Sequence, residues 1–396
     1  MRSLRTPYGS TADPHEILTV VIAPDSFKGS LASIDVAAAL AEGWRSVRPN
    51  DLLHLVPLAD GGEGTLDAIA AAVPDAVTRD AGTVRGPDGR PVRGRWLELP
   101  GRVAVVELAQ MSGLPLMGSL DPLGASTFGL GEVIRSAIDA GMRRIIVGLG
   151  GSASTDGGAG ALAALGLRGA VDGRPAALDA GGAALAALTS LDRSGLITPP
   201  PDGLLLLTDV TAPLLGPRGA AAVFGPQKGA TPADVQDLDA ALANFDRVLG
   251  FAELLGSAES LGAAVDEPGT GAAGGTAFGL ASALGATITP GAQYLAELAG
   301  VSDLIGRADV LITGEGRFDE TSLTGKLVGQ LIAVADRTRT PVCLIAGSLE
   351  ARGPTGFAAS LVDLAGSLEA ALAEPRRWLR LAGAEAAQRF PSTPPG

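Results

Sequence analysis

The chain has 396 residues, 46% of them hydrophobic and only 4% aromatic, with mean hydropathy +0.29, a formal net charge of −13 and a pI near 4.7. That length suffices for two domains of ordinary size or one large one, and the composition excludes a disordered chain; without a basic face, nucleic acid is excluded as a partner. The single cysteine, Cys343, forbids an intrachain disulfide framework and agrees with a reducing, cytoplasmic compartment, while two histidines, His15 and His54, make His triads and His-rich metal sites poor readings. No apolar run of about 18 residues is present to span a membrane. Residues 1–16 and 386–396 read as tails.

In chain order, Thr19–Ala23 reads as a buried strand, Leu31–Trp44 as a helix capped by Ser30, Leu52–Val56 as a second strand and Thr65–Val73 as a second helix. This βαβα pattern signals a parallel sheet. Short strands then run from Val77 to Leu108, split by turns at Gly86–Gly89 and Pro100-Gly101. A helix over Gly129–Ala140, a strand from Arg144 to Val147, a strand over Leu204–Leu207 and a helix over Pro232–Leu249 follow. The first pattern returns with strand Ala308–Ile312, helix Lys326–Asp336, strand Val342–Ala346 and a terminal helix over Glu369–Ala382. The expected fold is α/β: a Rossmann-like parallel-sheet domain from both chain ends (17–76 plus 292–385) with an inserted mixed α/β domain (77–291) and the active site in the cleft between them.

Six glycine-bearing loops sit at strand ends or helix starts, where backbone N–H groups favour anions. Ala23–Ser30 offers Ser26 and Lys28. Ala59–Thr65 (ADGGEGT) offers Asp60, Gly61, Gly62 and Glu63; carboxylates there suit Mg2+ or a base for a hydroxyl. Gly148–Gly160 offers Ser152, Ser154, Thr155 and Asp156. Thr208–Pro213 contributes Asp209, and Phe224–Gly229 contributes Lys228. Thr313–Lys326 carries Glu315, Asp319 and Lys326, yet it is no Walker A loop, since Glu320 and Leu327 break that pattern. Glycines, lysines and acids in a chain poor in His and Cys point to phosphoryl transfer, which needs positioning and charge neutralisation more than a potent nucleophile.

At these loops the sequence resembles the type-1 glycerate kinase family. The resemblance rests on IAPDSFKGSL at Ile22–Leu31, PLADGGEGT at Pro57–Thr65, GLGGSA leading to Asp-Gly-Gly at Gly148–Gly158, FGPQKGA at Phe224–Ala230, GAAGG at Gly271–Gly275 and ITGEG at Ile312–Gly316, with Gly325-Lys326 beyond. Two departures stand out: Thr155 where many members have Asn, and Glu320 where many have Gln. The resemblance implies a two-domain fold, ATP and Mg2+, and transfer of the γ-phosphoryl group to D-glycerate, usually at the 2-hydroxyl and in some glycerate kinases at the 3-hydroxyl. A homo-oligomer is left open.

The physical role assignments are Lys28 as a phosphate contact, Asp60 or Asp156 as the base, and Glu315, Asp319 or Asp60 at the metal. Ser26, Gly61, Gly62, Ser152, Asp209, Lys228 and Lys326 bind substrate or phosphate. Two rival classes remain. Gly148, Gly150 and Ala153 fit the G-x-G-x-x-A pattern of an NAD-dependent oxidoreductase, and a non-catalytic sensor of a hydroxy acid or nucleotide would use the same loops.

Overall fold

The computed structural model describes residues 17–27, 30–59, 61–255, 265–323, 327–353 and 356–390. The expected contacts Lys28, Asp60 and Lys326 lie outside the described residues. The chain divides into two compact units, a terminal unit of Met1–Leu58 with Gly300–Gly396, and a middle unit of Ala59–Ala299. The divisions fall at Leu58 and Gly300, not near residues 76 and 292. Helices Thr65–Ala72 and Gly291–Leu298 bury Leu66, Ile69 and Leu295 against Leu97, Val105, Ile146 and Leu207 of the middle unit's sheet. Burial of those apolar faces, not adjacency in sequence to strand Leu52–Leu55, assigns both helices.

The terminal unit is built on a five-stranded, all-parallel sheet. Its spatial order is Phe357–Ser360, Val342–Ala346, Val310–Thr313, Thr19–Ile22 and Leu52–Leu55. Val20, Ile22, Val310, Ile312, Cys343 and Ile345 pack with helices Ser33–Val47 and Pro375–Gln388. The first helix starts two residues later than expected. Ser30 is not its cap; its N–H and that of Leu31 both donate to the Phe27 carbonyl in a turn, and Ala32 takes the cap position. The expected terminal helix is also two helices, Leu368–Ala373 and Pro375–Gln388. Pro375 has no N–H to continue the first and its fixed φ suits the first position of the second.

The middle unit carries a six-stranded mixed sheet in the order Thr287–Thr289, Leu204–Leu207, Arg144–Gly148, Val103–Glu107, Pro91–Leu99 and Val77–Arg85. The first four strands are mutually parallel; the two hairpin turns make the last two antiparallel. Four parallel strands therefore end, at Glu107, Gly148, Leu207 and Thr289, along one edge. A small antiparallel sheet of Arg168–Val171, Arg174–Ala176 and Ser190–Asp192 has no counterpart in the sequence reading. No helix of the described residues is long and apolar enough to cross a membrane.

Candidate active site

The carboxyl edge of the middle unit's parallel strands gathers three of the expected loops. Gly61 adopts φ +88°, and a Cβ there would stand 2.7 Å from the Leu207 carbonyl oxygen. A Cβ on Gly150 would stand 2.2 Å from the Gly62 Cα, and the Gly150 N–H donates to the Gly61 carbonyl at 3.2 Å. At these positions glycine lets backbone pack on backbone. Gly61 and Gly62 are buried, Glu63 is exposed, and the loop feeds the N-terminus of helix Thr65–Ala72. Asp209, exposed just past strand Leu204–Leu207, accepts the Ala292 N–H at 3.3 Å at the start of helix Gly291–Leu298.

The Gly148–Gly160 loop is fastened from within. Asp156 is fully buried, and its Oδ2 accepts from the Thr127 N–H at 2.8 Å, the Thr127 hydroxyl at 2.7 Å and the Gly160 N–H at 3.3 Å, while Oδ1 accepts from the Gly158 N–H at 3.1 Å. Lys228 is only 2% exposed; its Nζ donates to Ser152 Oγ at 2.9 Å and to the Ser154 carbonyl. Burial pulls this ammonium down to about 7, against the opposing attraction of Asp156. The Ala153 N–H donates to Ser112 and the Gly157 N–H to Gly274. Ser154 and Thr155 are fully buried, with hydroxyls that have no hydrogen-bond partner. The Asn-to-Thr departure at 155 thus places an orphan hydroxyl in the interior. The dinucleotide reading also loses its context: the helix opens at Ala159, well beyond Gly148, Gly150 and Ala153, across a buried loop.

Glu107 escaped the sequence reading. It ends strand Val103–Glu107, is 1% exposed, and accepts the Gly64 N–H at 3.1 Å, the Leu66 N–H at 3.0 Å and the Gln110 amide at 3.0 Å. Burial pushes its carboxyl above the ordinary range, although those three donors pull the other way. A carboxylate closing the apolar run Val103-Ala-Val-Val was the signal available.

In the terminal unit the first and sixth loops meet at neighbouring strand ends. The Asp25 N–H donates to the Gly314 carbonyl at 2.8 Å, and the Thr313 hydroxyl to the Ala23 carbonyl at 2.8 Å. Asp25, not singled out from sequence, and the buried Glu315 therefore belong to one strand-end cluster. Ser26 is half-buried beside Asp25 and donates its N–H to Asp25 Oδ1 at 2.6 Å. Asp319 is turned to local work: its Oδ1 accepts from Thr321 N–H at 2.8 Å and from the Thr321 hydroxyl at 2.5 Å, and Oδ2 lies 3.6 Å from Arg317. Among the described residues no group of three or more His, Cys, Asp or Glu is placed to hold a metal by itself. Asp25 and Glu315 are oxygen donors of the kind Mg2+ takes, one or two carboxylates completed by phosphate oxygens and water.

The sequence model described as the Glycerate kinase family matches residues 20–390. A Halalkalibacterium halodurans protein named glycerate kinase is 39% identical over 84% of this chain and 86% of its own length; an Escherichia coli K12 protein named glycerate 2-kinase is 39% identical over the same shares. Among solved structures, that of "putative glycerate kinase 2" from Salmonella typhimurium LT2 superposes with TM-score 0.75 at 36% identity, covering 94% of this chain and 98% of the other. The chain belongs to the glycerate kinase family, and it is a kinase.

Proposed function

We propose that this enzyme transfers the γ-phosphoryl group of ATP to the 2-hydroxyl of D-glycerate, yielding 2-phosphoglycerate and ADP. The observation that carries the reading is the junction of Gly61-Gly62, Gly148–Gly150 and Asp209 at one edge of a parallel sheet, in a chain 39% identical to a protein named glycerate 2-kinase. Such an edge presents helix N-termini and close-lying backbone to a small anionic substrate. Lysine usage supports it further. The chain has 27 arginines and only three lysines, Lys28, Lys228 and Lys326, and all three stand beside glycines in the family-like loops. Where arginine serves as the general surface cation, a lysine is kept for its compact, mobile ammonium.

Lys28 and Lys326 take the phosphate contacts. Lys228, enclosed by its own fold, braces the Gly148–Gly160 loop. In the transfer the hydroxyl oxygen bonds to the γ-phosphorus while the bond to the β,γ-bridging oxygen breaks, and the hydroxyl proton passes to a carboxylate. We assign that base to Asp60. Asp156 has both oxygens committed to Thr127, Gly158 and Gly160, so it holds the loop instead. Asp25 and Glu315 would hold Mg2+, which neutralises charge developing on the β- and γ-phosphates. Asp319 is left to orient the turn at Thr321. A cytoplasmic location completes the reading, consistent with a single cysteine, which leaves no intrachain disulfide to form.

The test is ADP release by purified protein with Mg-ATP, with and without D-glycerate, beside a titration with NADH. Release that depends on D-glycerate supports the proposal. NADH binding with no glycerate-dependent ADP release would return the dinucleotide reading.

A further inference from the structure

The proposed chemistry leaves Glu107 without a task, and its burial is costly. A helix start can be capped by a solvated Ser or Asp at much lower desolvation cost. Helix Thr65–Ala72 has no such cap of its own: Gly64 holds the cap position with φ +86° and offers no side chain. Glu107 supplies the cap from another strand, 43 residues from Gly64 and 41 from Leu66. One oxygen takes the Gly64 N–H and the other the Leu66 N–H, so the carboxylate forks across the turn that leaves the Gly61–Gly62 segment.

A second layer holds the fork. Gln110 Nε2 donates to Glu107 Oε1 at 3.0 Å, and Arg95 Nε donates to Gln110 Oε1 at 3.1 Å. Because Arg95 can only donate, it fixes which end of the Gln110 amide faces the carboxylate. On its other side the same loop is locked by Gly150 and the Leu207 carbonyl. The loop is thus clamped at both ends, once by backbone packing and once by a buried, charge-assisted fork.

We infer that Glu107, oriented by Gln110 and Arg95, is a positioning residue that sets the Gly61–Thr65 loop for phosphoryl transfer. The inference rests on the glycerate kinase reading above. Glu107 itself touches no reacting atom; its effect is exerted through the two N–H groups it holds. Preorganised loops of this kind lower the barrier by keeping contacts within a fraction of an ångström, so loosening one should appear in kcat more than in KM.

The experiment pairs Glu107→Gln with Gln110→Leu, and measures steady-state kinetics on D-glycerate and Mg-ATP together with amide hydrogen exchange of Gly64 and Leu66. In Glu107→Gln, exchange at both amides should accelerate, kcat should fall at least about tenfold, and both KM values should stay within about threefold. Gln110→Leu should give the same pattern to a smaller degree. Faster exchange with kcat unchanged in both variants would make Glu107 a helix cap only and overturn the inference. If Glu107→Gln does not fold, Gln110→Leu decides by the same criteria. A wild-type enzyme inactive on glycerate would sink the functional reading; active wild type with two fully active variants sinks this inference alone.

Discussion

The contact between Gly150 and Gly62 gives the sharpest prediction. In Gly150→Ala the new methyl carbon would lie 2.2 Å from the Gly62 Cα, about 1.2 Å inside the 3.4 Å where ordinary contact begins. The obstacle is backbone, so no side chain can swing aside, and the two loops must part by about that distance. Overpacking of this kind costs about 1–3 kcal/mol, and a domain of this size loses about 2–4 °C of Tm per kcal/mol. The kinetic effect should be larger, since a displacement of about 1 Å at a positioned site costs roughly a hundredfold in rate. Gly141→Ala is the control. Gly141 has positive φ, at 80°, so alanine is strained there, but a Cβ meets nothing within 4 Å, and it lies at the turn before strand Arg144–Gly148, away from the carboxyl edge. Differential scanning fluorimetry and kcat/KM for D-glycerate should therefore separate the two: both variants lose Tm, and only Gly150→Ala loses about two decades of activity. Equal kcat/KM in both would show that the meeting of these loops is not the site.

Asp156→Asn should act on the fold, because a carboxamide must turn an N–H2 toward donors or abandon them, at about 1–3 kcal/mol for each buried group left unsatisfied; wild-type Tm with kcat down more than about a hundredfold would reinstate Asp156 as the base. Lys228 has a folded pKa of about 7 below its ordinary 10.5, so the unfolded chain binds the extra proton between those values. Its contribution to stability should accordingly rise with pH across that window, by at most about 1.4 kcal/mol per pH unit. Urea melts at pH 6.5 and 9.5 should show this rise in wild type and lose it in Lys228→Met; an identical pH dependence would contradict the burial argument. Excess EDTA should abolish turnover and added Mg2+ restore it, with Glu315→Gln raising the Mg2+ concentration for half-maximal rate at least about tenfold. An unchanged Mg2+ requirement would remove Glu315 from the metal.

Local patterning made the elements legible. Strands Leu204–Leu207 and Val342–Ala346 are apolar runs bounded by polar or turn residues, and both form as expected. Hairpin turns at Gly86–Gly89 and Pro100-Gly101 separate the strands anticipated there. What sequence hid was partnership at a distance. Helix Thr65–Ala72 follows strand Leu52–Leu55 closely in the chain, yet buries Leu66 and Ile69 in the middle unit. The same limit applies to the site. Loop motifs named Lys228 as a substrate or phosphate contact and Asp156 as a candidate base, because a motif cannot say whether its side chain faces substrate or its own interior. Burial, with Lys228 on Ser152 and Asp156 on Thr127, turns both inward. Asp25 emerged only when strand pairing set the first loop beside Gly314, and Glu107 only when its oxygens were found on Gly64 and Leu66.

The central claim is tested most directly by phosphorus NMR of the product formed from D-glycerate and Mg-ATP before any downstream enzyme is added. A phosphate resonance coupled to the single proton on carbon 2, growing in step with ADP, is the predicted result. A resonance coupled to the two protons on carbon 3 would move the acceptor to the 3-hydroxyl, and ATP left intact beside unmodified glycerate would contradict the account.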